Sequence, residues 1–301
     1  MDINEEVAAL AITNHRKTPV FVHGSSKRQL YFAFPKFVMD YILKNPKSWK
    51  LWKKLIQSCK WFFDKNSIVV IPCLHFKDDG FSTCSTQHCN FVSDRPIGLL
   101  SAPFKLWITE NLDIEVGGGA VKHLIPRIYK CDAEDMNLVN QLLTVDEFAF
   151  LTHKVLDPML DGTRILDKNE KPLSFEKILE RLPQIQSISY YFMDDDVTLD
   201  TVKKITEMEH VKKFSRMILQ NIPPNFDFDA FSKFMLENKQ ICFVLSFYDE
   251  TLTEEYMVKV QAFAEKLKTE YYGNHRRPAI YFNDINLVND NNGDEDDIVN
   301  L

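Results

Sequence analysis

The second half of the chain alternates between strand-like and helix-like segments, and this alternation restricts the available folds more than any other feature. "IQSISYYF" (185–192) reads as a strand and "TLDTVKKITEME" (198–209) as a helix. The pair recurs as "FSRMILQNI" (214–222) with "DFDAFSKFMLEN" (227–238), and again as "ICFVLSFYD" (241–249) with "TEEYMVKVQAFAEKLK" (253–268). "PAIYF" (278–282) closes the series as a strand, and a helix at 174–182 feeds its first member. A run of βα units pairs each strand with the next in parallel and covers one side with helices. Thr198 and Thr253 stand where N-caps belong, and Asp227 and Asp229 suit the positive end of the helix that follows them.

Successive strand centres lie about 27 residues apart before a longer last step, within the range of roughly 20–29 residues for leucine-rich repeats. The strict Leu/Asn consensus of such repeats is absent, and a single open α/β sheet fits the same pattern. The expected fold is therefore α/β: an N-terminal helical module followed by a parallel-strand, repeat-like region. Upstream of the series, "SIVVIPCLHF" (67–76) reads as a buried strand and 77–98 as a long polar connection. "FKLWITENLDIEV" alternates over part of its length and ends in Gly117-Gly118-Gly119, a turn without the strand–turn–helix context of a phosphate site. The expected divisions are a lead-in over 1–28, the helical module over 29–66, the α/β region over 67–282, and a disordered acidic tail over 283–301.

The helical module is "FPKFVMDYILKNPKSWKLWKKLIQSCKWFF" (34–63), read as two helices broken at Asn45-Pro46, since proline disfavours helix in the residue before it. At 100° per residue, Trp49, Trp52, Ile56, Cys59 and Phe63 share one stripe of the second helix, and Leu51, Leu55 and Phe62 an adjoining one. The remaining arc carries Lys50, Lys53, Lys54 and Lys60, with Trp61 as an outlier. Two short helices cannot bury so broad an apolar side by themselves. The excess must meet the α/β body or another protein.

The order Phe34-Pro35, Val38, Ile42-Leu43, a break at Pro46, then Leu55 and Cys59-Lys60-Trp61 resembles an F-box, in particular the F-box-like segments of an expanded group of nematode proteins with a C-terminal α/β repeat region. Phe replaces the usual leading Leu, the break is short, and Trp follows Lys directly. The resemblance implies a substrate-recognition adaptor of a cullin–RING (SCF-type) ubiquitin ligase. Phe34, Pro35, Val38, Ile42, Leu43, Pro46, Leu55 and Cys59 would bind a Skp-type linker, and the α/β region would bind a protein substrate. The alternative is an interaction scaffold whose helices cap an α/β solenoid with no ligase link.

Composition narrows the remaining classes. A net charge of −7 argues against a polyanion-binding protein, and neither a nucleic-acid nor a membrane partner is expected. The acidic start lacks the features of a signal peptide, so reduced thiols and a cytoplasmic protein, with the nucleus also open to it, are expected. Cys73, His75, Cys84, His88 and Cys89 are the residue types zinc takes, and Cys73 and His75 share one face of a strand, but no C-x2-C knuckle is present. Asp194, Asp195, Asp196, Asp249 and Glu250 follow strand ends, where acids could hold a divalent cation, but they read first as solvated loop acids preceding a helix. No catalytic residue, metal or cofactor is assigned, and an enzyme is not expected.

Overall fold

The computed structural model describes residues 35–77, 80–84, 94–96, 98–99, 103–115, 117, 119–193, 195–248 and 252–288. The chain is mixed α/β and divides into two compact units, residues 1–116 with 120–134, and residues 117–119 with 135–301. The expected 67–282 region thus contributes strands to both. The polar lead-in, Phe34 and the acidic tail from 289 onward lie outside the described residues.

The first unit holds helices α1 (Lys36–Lys44), α2 (Trp49–Ser58) and α3 (Lys60–Lys65), and strands β1 (Ile68–Lys77), β2 (Gly80–Cys84), β3 (Asp94–Pro96), β4 (Lys105–Ile114) and β5 (Ile128–Cys131), with the short α4 (Ala120–Leu124). β1 pairs in parallel with β4, and β4 with β5. On its other edge β1 pairs antiparallel with β2, which pairs antiparallel with β3. The segment 77–98, expected to be a polar connection, therefore contains two strands. Its polar composition masked them, because an antiparallel strand can keep one face in water and need not read as an apolar run. Gly80 takes φ +116°, which favours glycine, and Phe76 stacks on its cross-strand partner Phe81 at 4.1 Å.

Pro72 sits in the middle of β1, where it has no N–H to give the ladder. The β1–β4 register shifts at this point: Ile71 faces Ile108 but Cys73 faces Asn111. β4 thus contributes one extra residue, a β-bulge. Before the bulge Ile68 faces Lys105; after it His75 faces Asp113, where an unbroken register would have set it against Leu112.

Among the described residues the helical module contains three helices, not two. Asn45 leaves helical geometry ahead of Pro46, and Ser48 caps α2 by accepting from the Leu51 N–H at 3.4 Å. A second break falls at Cys59, which is extended at φ −155°, ψ 118°. The 100° projection cannot be continued through it. Trp61, an outlier on a single long helix, consequently packs against the core and meets Phe62 edge-on at 5.3 Å. Asn66 donates to the Leu43 carbonyl at 2.6 Å, tying the end of the module back to α1.

The second unit contains β6 (Asp135–Val139), β7 (Leu142–Thr144), α5 (Val145–Thr152), β8 (Asp157–Asp161), β9 (Arg164–Leu166), α6 (Phe175–Glu180), β10 (Ser187–Tyr191), α7 (Thr201–Glu207), β11 (Arg216–Gln220), α8 (Phe228–Glu237), β12 (Cys242–Phe247), α9 (Glu254–Thr269), β13 (Ala279–Phe282) and β14 (Ile285–Asn286). β6, β8, β10, β11, β12 and β13 pair successively in parallel, and β14 returns antiparallel on β13. β7 and β9 form a separate parallel pair. The expected strands near 185, 214, 241 and 278 and the helices between them are present. β7 and β9, at three residues each, are too short to show a period of two, whereas β6 and β8 alternate in burial over five residues.

A column of rings runs through this unit. Phe192 meets Phe175, Tyr190 and Phe226; Phe226 meets Phe231; Phe231 meets Phe243. These rings come from α6, β10, the segments after β10 and β11, α8 and β12. The abundance of Phe in the sequence therefore supplies contacts between successive βα units. Edge-on aromatic contacts add about 0.5–1.5 kcal/mol beyond burial.

Thr253 caps α9 by accepting from the Tyr256 N–H, and Asp227 caps α8 by accepting from the Ala230 N–H. Thr198 does not cap α7, which starts at Thr201 after Asp200. The Thr201 hydroxyl accepts from the Thr198 N–H at 2.8 Å and donates to Glu176 Oε2 at 2.7 Å. Glu176 is buried beside the Lys204 ammonium at 3.5 Å. Burial alone would raise its pKa, but the Thr201 hydroxyl bond and the Lys204 charge help to outweigh it, and the carboxyl sits below its usual value. A lowered folded-state pKa contributes stability above the unfolded value, and that share is lost as pH falls through the folded value. Urea midpoints of the wild type should therefore decline more steeply over the acid range than those of Glu176→Gln, the two curves converging at low pH. Parallel curves would show that Glu176 carries no such linkage.

Candidate functional site

Two places in the first unit concentrate chemistry. The first is the helical module. Leu43, one of the residues expected to bind a partner, is buried, and Ile42, Leu55 and Cys59 are partly buried. All four join Met39, Trp52, Phe62, Ile68, Val70 and Trp107 in one apolar cluster. Pro35 is exposed, while Val38 and Pro46 are partly buried. The chain's own sheet thus takes a large part of the apolar arc. Trp52 is 1% exposed and donates from Nε1 to the Ile68 carbonyl at 3.1 Å, at the start of β1. Trp107, on β4 behind it, donates from Nε1 to Asp132 Oδ2 at 2.9 Å.

Besides Pro35, three large hydrophobic side chains of the module stay outside. Phe37 is 74% exposed, Tyr41 54% and Leu51 55%. Phe37 and Tyr41 are four residues apart on α1 and share a face. Lysine surrounds them: residues 35–66 hold eight lysines and two aspartates. Lys47 lies 5.9 Å from the Tyr41 ring centre, and Lys50 5.3 Å from that of Trp49. Leu51 falls on the broad apolar arc of the projected second helix, and the sequence cannot show which half of that arc the sheet will cover.

The second place is the β1–β2 strand pair, away from its turn. Cys73 and His75 alternate onto one face of β1, and the antiparallel register of β2 brings Cys84 alongside. One ligand atom from each of Cys73, His75 and Cys84 lies within 4.8 Å of the others, and all three residues are buried. His75 Nε2 is 3.3 Å from Cys84 Sγ, and Nδ1 is 3.3 Å from Asp113 Oδ2. The Asp113 carboxylate is itself buried, with the Lys77 ammonium at 3.9 Å. The Thr83 hydroxyl donates to the Cys73 carbonyl at 2.6 Å, fixing the strand pair next to the thiols.

Asp113 is the residue that reading the sequence missed. A trace of it is visible: "CLHF" carries His75 and "NLDI" carries Asn111 and Asp113 among apolar residues, and buried polar groups need partners. Their alignment depends on the bulge opposite Pro72. His88 and Cys89, the other residues considered for zinc, lie outside the described residues, as do Asp194, Asp249 and Glu250. Asp196 is turned inward and accepts from the Met193 N–H at 2.7 Å; burial raises its pKa. It serves the loop after β10. Among the described residues no helix is long and apolar enough to cross a membrane. The chain matches no protein-family model and no curated protein.

Proposed function

We propose that the chain is a non-enzymatic adaptor of a cullin–RING ubiquitin ligase. Its F-box-like helices bind a Skp-type linker, and its leucine-rich-repeat-like βα region holds a protein substrate. Such a tether raises the local concentration of substrate lysines at the ligase. The observation that carries this reading is the exposed Pro35–Phe37–Tyr41 edge of α1 together with Leu51, set in a lysine-rich surround. Large aromatic side chains left in water beside cations suit an acidic partner surface with apolar pockets.

This assignment shifts the dock from the residues the motif implies. Leu43, Ile42, Leu55 and Cys59 hold the module together, and Pro35, Phe37, Tyr41 and Leu51 meet the partner. The full chain should retain a Skp-type linker in a pull-down, and Phe37→Asp with Leu51→Asp should lose it at least tenfold. Both sites are exposed, so the variant's urea midpoint should match the wild type. Failure of the folded wild type to retain any linker paralogue would sink the adaptor reading. The burial of Trp52, Leu43 and Phe62 favours a second reading, in which the helices cap the sheet and nothing more. That reading predicts no linker binding by either protein.

A further inference from the structure

We propose that Cys73 Sγ, His75 Nε2 and Cys84 Sγ form a binding site for a thiophilic divalent ion, zinc first, with Asp113 as the group that orients the histidine. The inference does not depend on the adaptor reading. Three donors of the right kind converge from two adjacent strands within 4.8 Å. Tetrahedral zinc with bonds of about 2.0–2.3 Å sets its ligand atoms roughly 3.5–3.8 Å apart, so sub-ångström adjustments of side chains seat the ion. The 3.3 Å between His75 Nε2 and Cys84 Sγ is already close to this spacing.

The carboxylate supplies the second, independent observation. With Nδ1–H donating to Asp113, His75 presents the lone pair of Nε2 toward the thiols. Metal-bound histidines characteristically hand their other N–H to a carboxylate, which fixes the tautomer and raises ligand basicity. Binding is balanced: each ion displaces the thiol protons of Cys73 and Cys84, and the two thiolates offset its charge. A donor set of two sulfurs and one imidazole favours zinc over magnesium or calcium, which take oxygen. The three residues leave one tetrahedral position for a further ligand, water included. The ion would lock the β1–β2 hairpin, so part of its binding energy becomes folding energy.

The test uses the full chain, reduced and stripped with a chelator, titrated with cobalt and then zinc alone. The proposal expects a thiolate-to-cobalt charge-transfer band saturating at one equivalent, bleached by zinc, with about two protons released per ion at neutral pH. X-ray absorption of the zinc form should show two sulfurs and one imidazole. Asp113→Asn should keep the band and weaken zinc binding by about 10–100-fold. A folded apo chain without the band overturns the proposal. So does an unchanged band in Cys73→Ser with Cys84→Ser, which places the ion elsewhere. If that variant does not fold, the absorption spectrum of the wild type decides: a shell without two sulfurs and a nitrogen overturns the site.

Discussion

Trp52→Ala lowers the stability of the first unit by about 3–5 kcal/mol, the range for removing a buried aromatic side chain, whereas Phe37→Ala changes it by less than about 0.5 kcal/mol. The two aromatic residues sit on neighbouring helices of one module, yet their environments are opposite. Trp52 is 1% exposed, meets Phe62 edge-on at 6.4 Å and gives its indole N–H to the Ile68 carbonyl. Truncation removes the ring, leaves a cavity between α2 and β1, and takes the side-chain donor from a buried carbonyl. Phe37 has nothing to lose on this scale. Urea unfolding read by far-ultraviolet circular dichroism gives both values. Hydrogen exchange should also quicken across α1–α3 and the start of β1 in the Trp52 variant. A cost below about 1 kcal/mol for Trp52→Ala would show that the helices do not depend on the sheet. In that case the division between core residues and docking residues drawn above fails.

The second large effect lies in the other unit. Phe192→Ala should cost about 3–5 kcal/mol, because its ring is fully buried and touches Phe175, Tyr190 and Phe226. The distribution of the loss matters as much as its size. Each βα unit touches mainly its neighbours, so the damage should spread along the column and fade with distance. Hydrogen exchange should accelerate most in β10, β11 and α6, and least in β13 and α9. Phe226→Ala shares the same ring contacts, so the double variant should depart from additivity by about 0.5–3 kcal/mol. Strict additivity, or equal acceleration in β13, would mean that the rings do not transmit stability from unit to unit.

The parallel βα series was legible because both of its signals are local. Short apolar runs such as "SISYY" and "CFVLSF" cannot be long helices, and "YMVKVQAFAEKLK" cannot be a strand. The caps at Asp227 and Thr253 were legible for the same reason, since a capping side chain acts within three residues of itself. The Thr198 assignment failed because α7 starts three residues later, at Thr201, whose hydroxyl accepts from the Thr198 N–H and donates to Glu176, a buried acceptor 25 residues away that the local sequence does not reveal. The helical module was legible as apolar and helical. Its second break at Cys59 was not, because no proline or glycine marks it.

By itself, the sequence determined the alternation of strands and helices over residues 174–282, the parallel sense of those strands, and the presence of more apolar surface on residues 34–63 than the helices can hide. Each of these follows from the local period of side chains along a backbone that repeats every two or 3.6 residues. Tertiary structure decided which part of that surface meets the sheet and which stays in water, giving Trp52 one fate and Phe37 the other. It also decided that His75 faces Asp113, because a proline without an N–H shifts the register of β1 against β4 by one residue. Register and burial depend on which distant residues lie opposite, and a single sequence does not state that pairing.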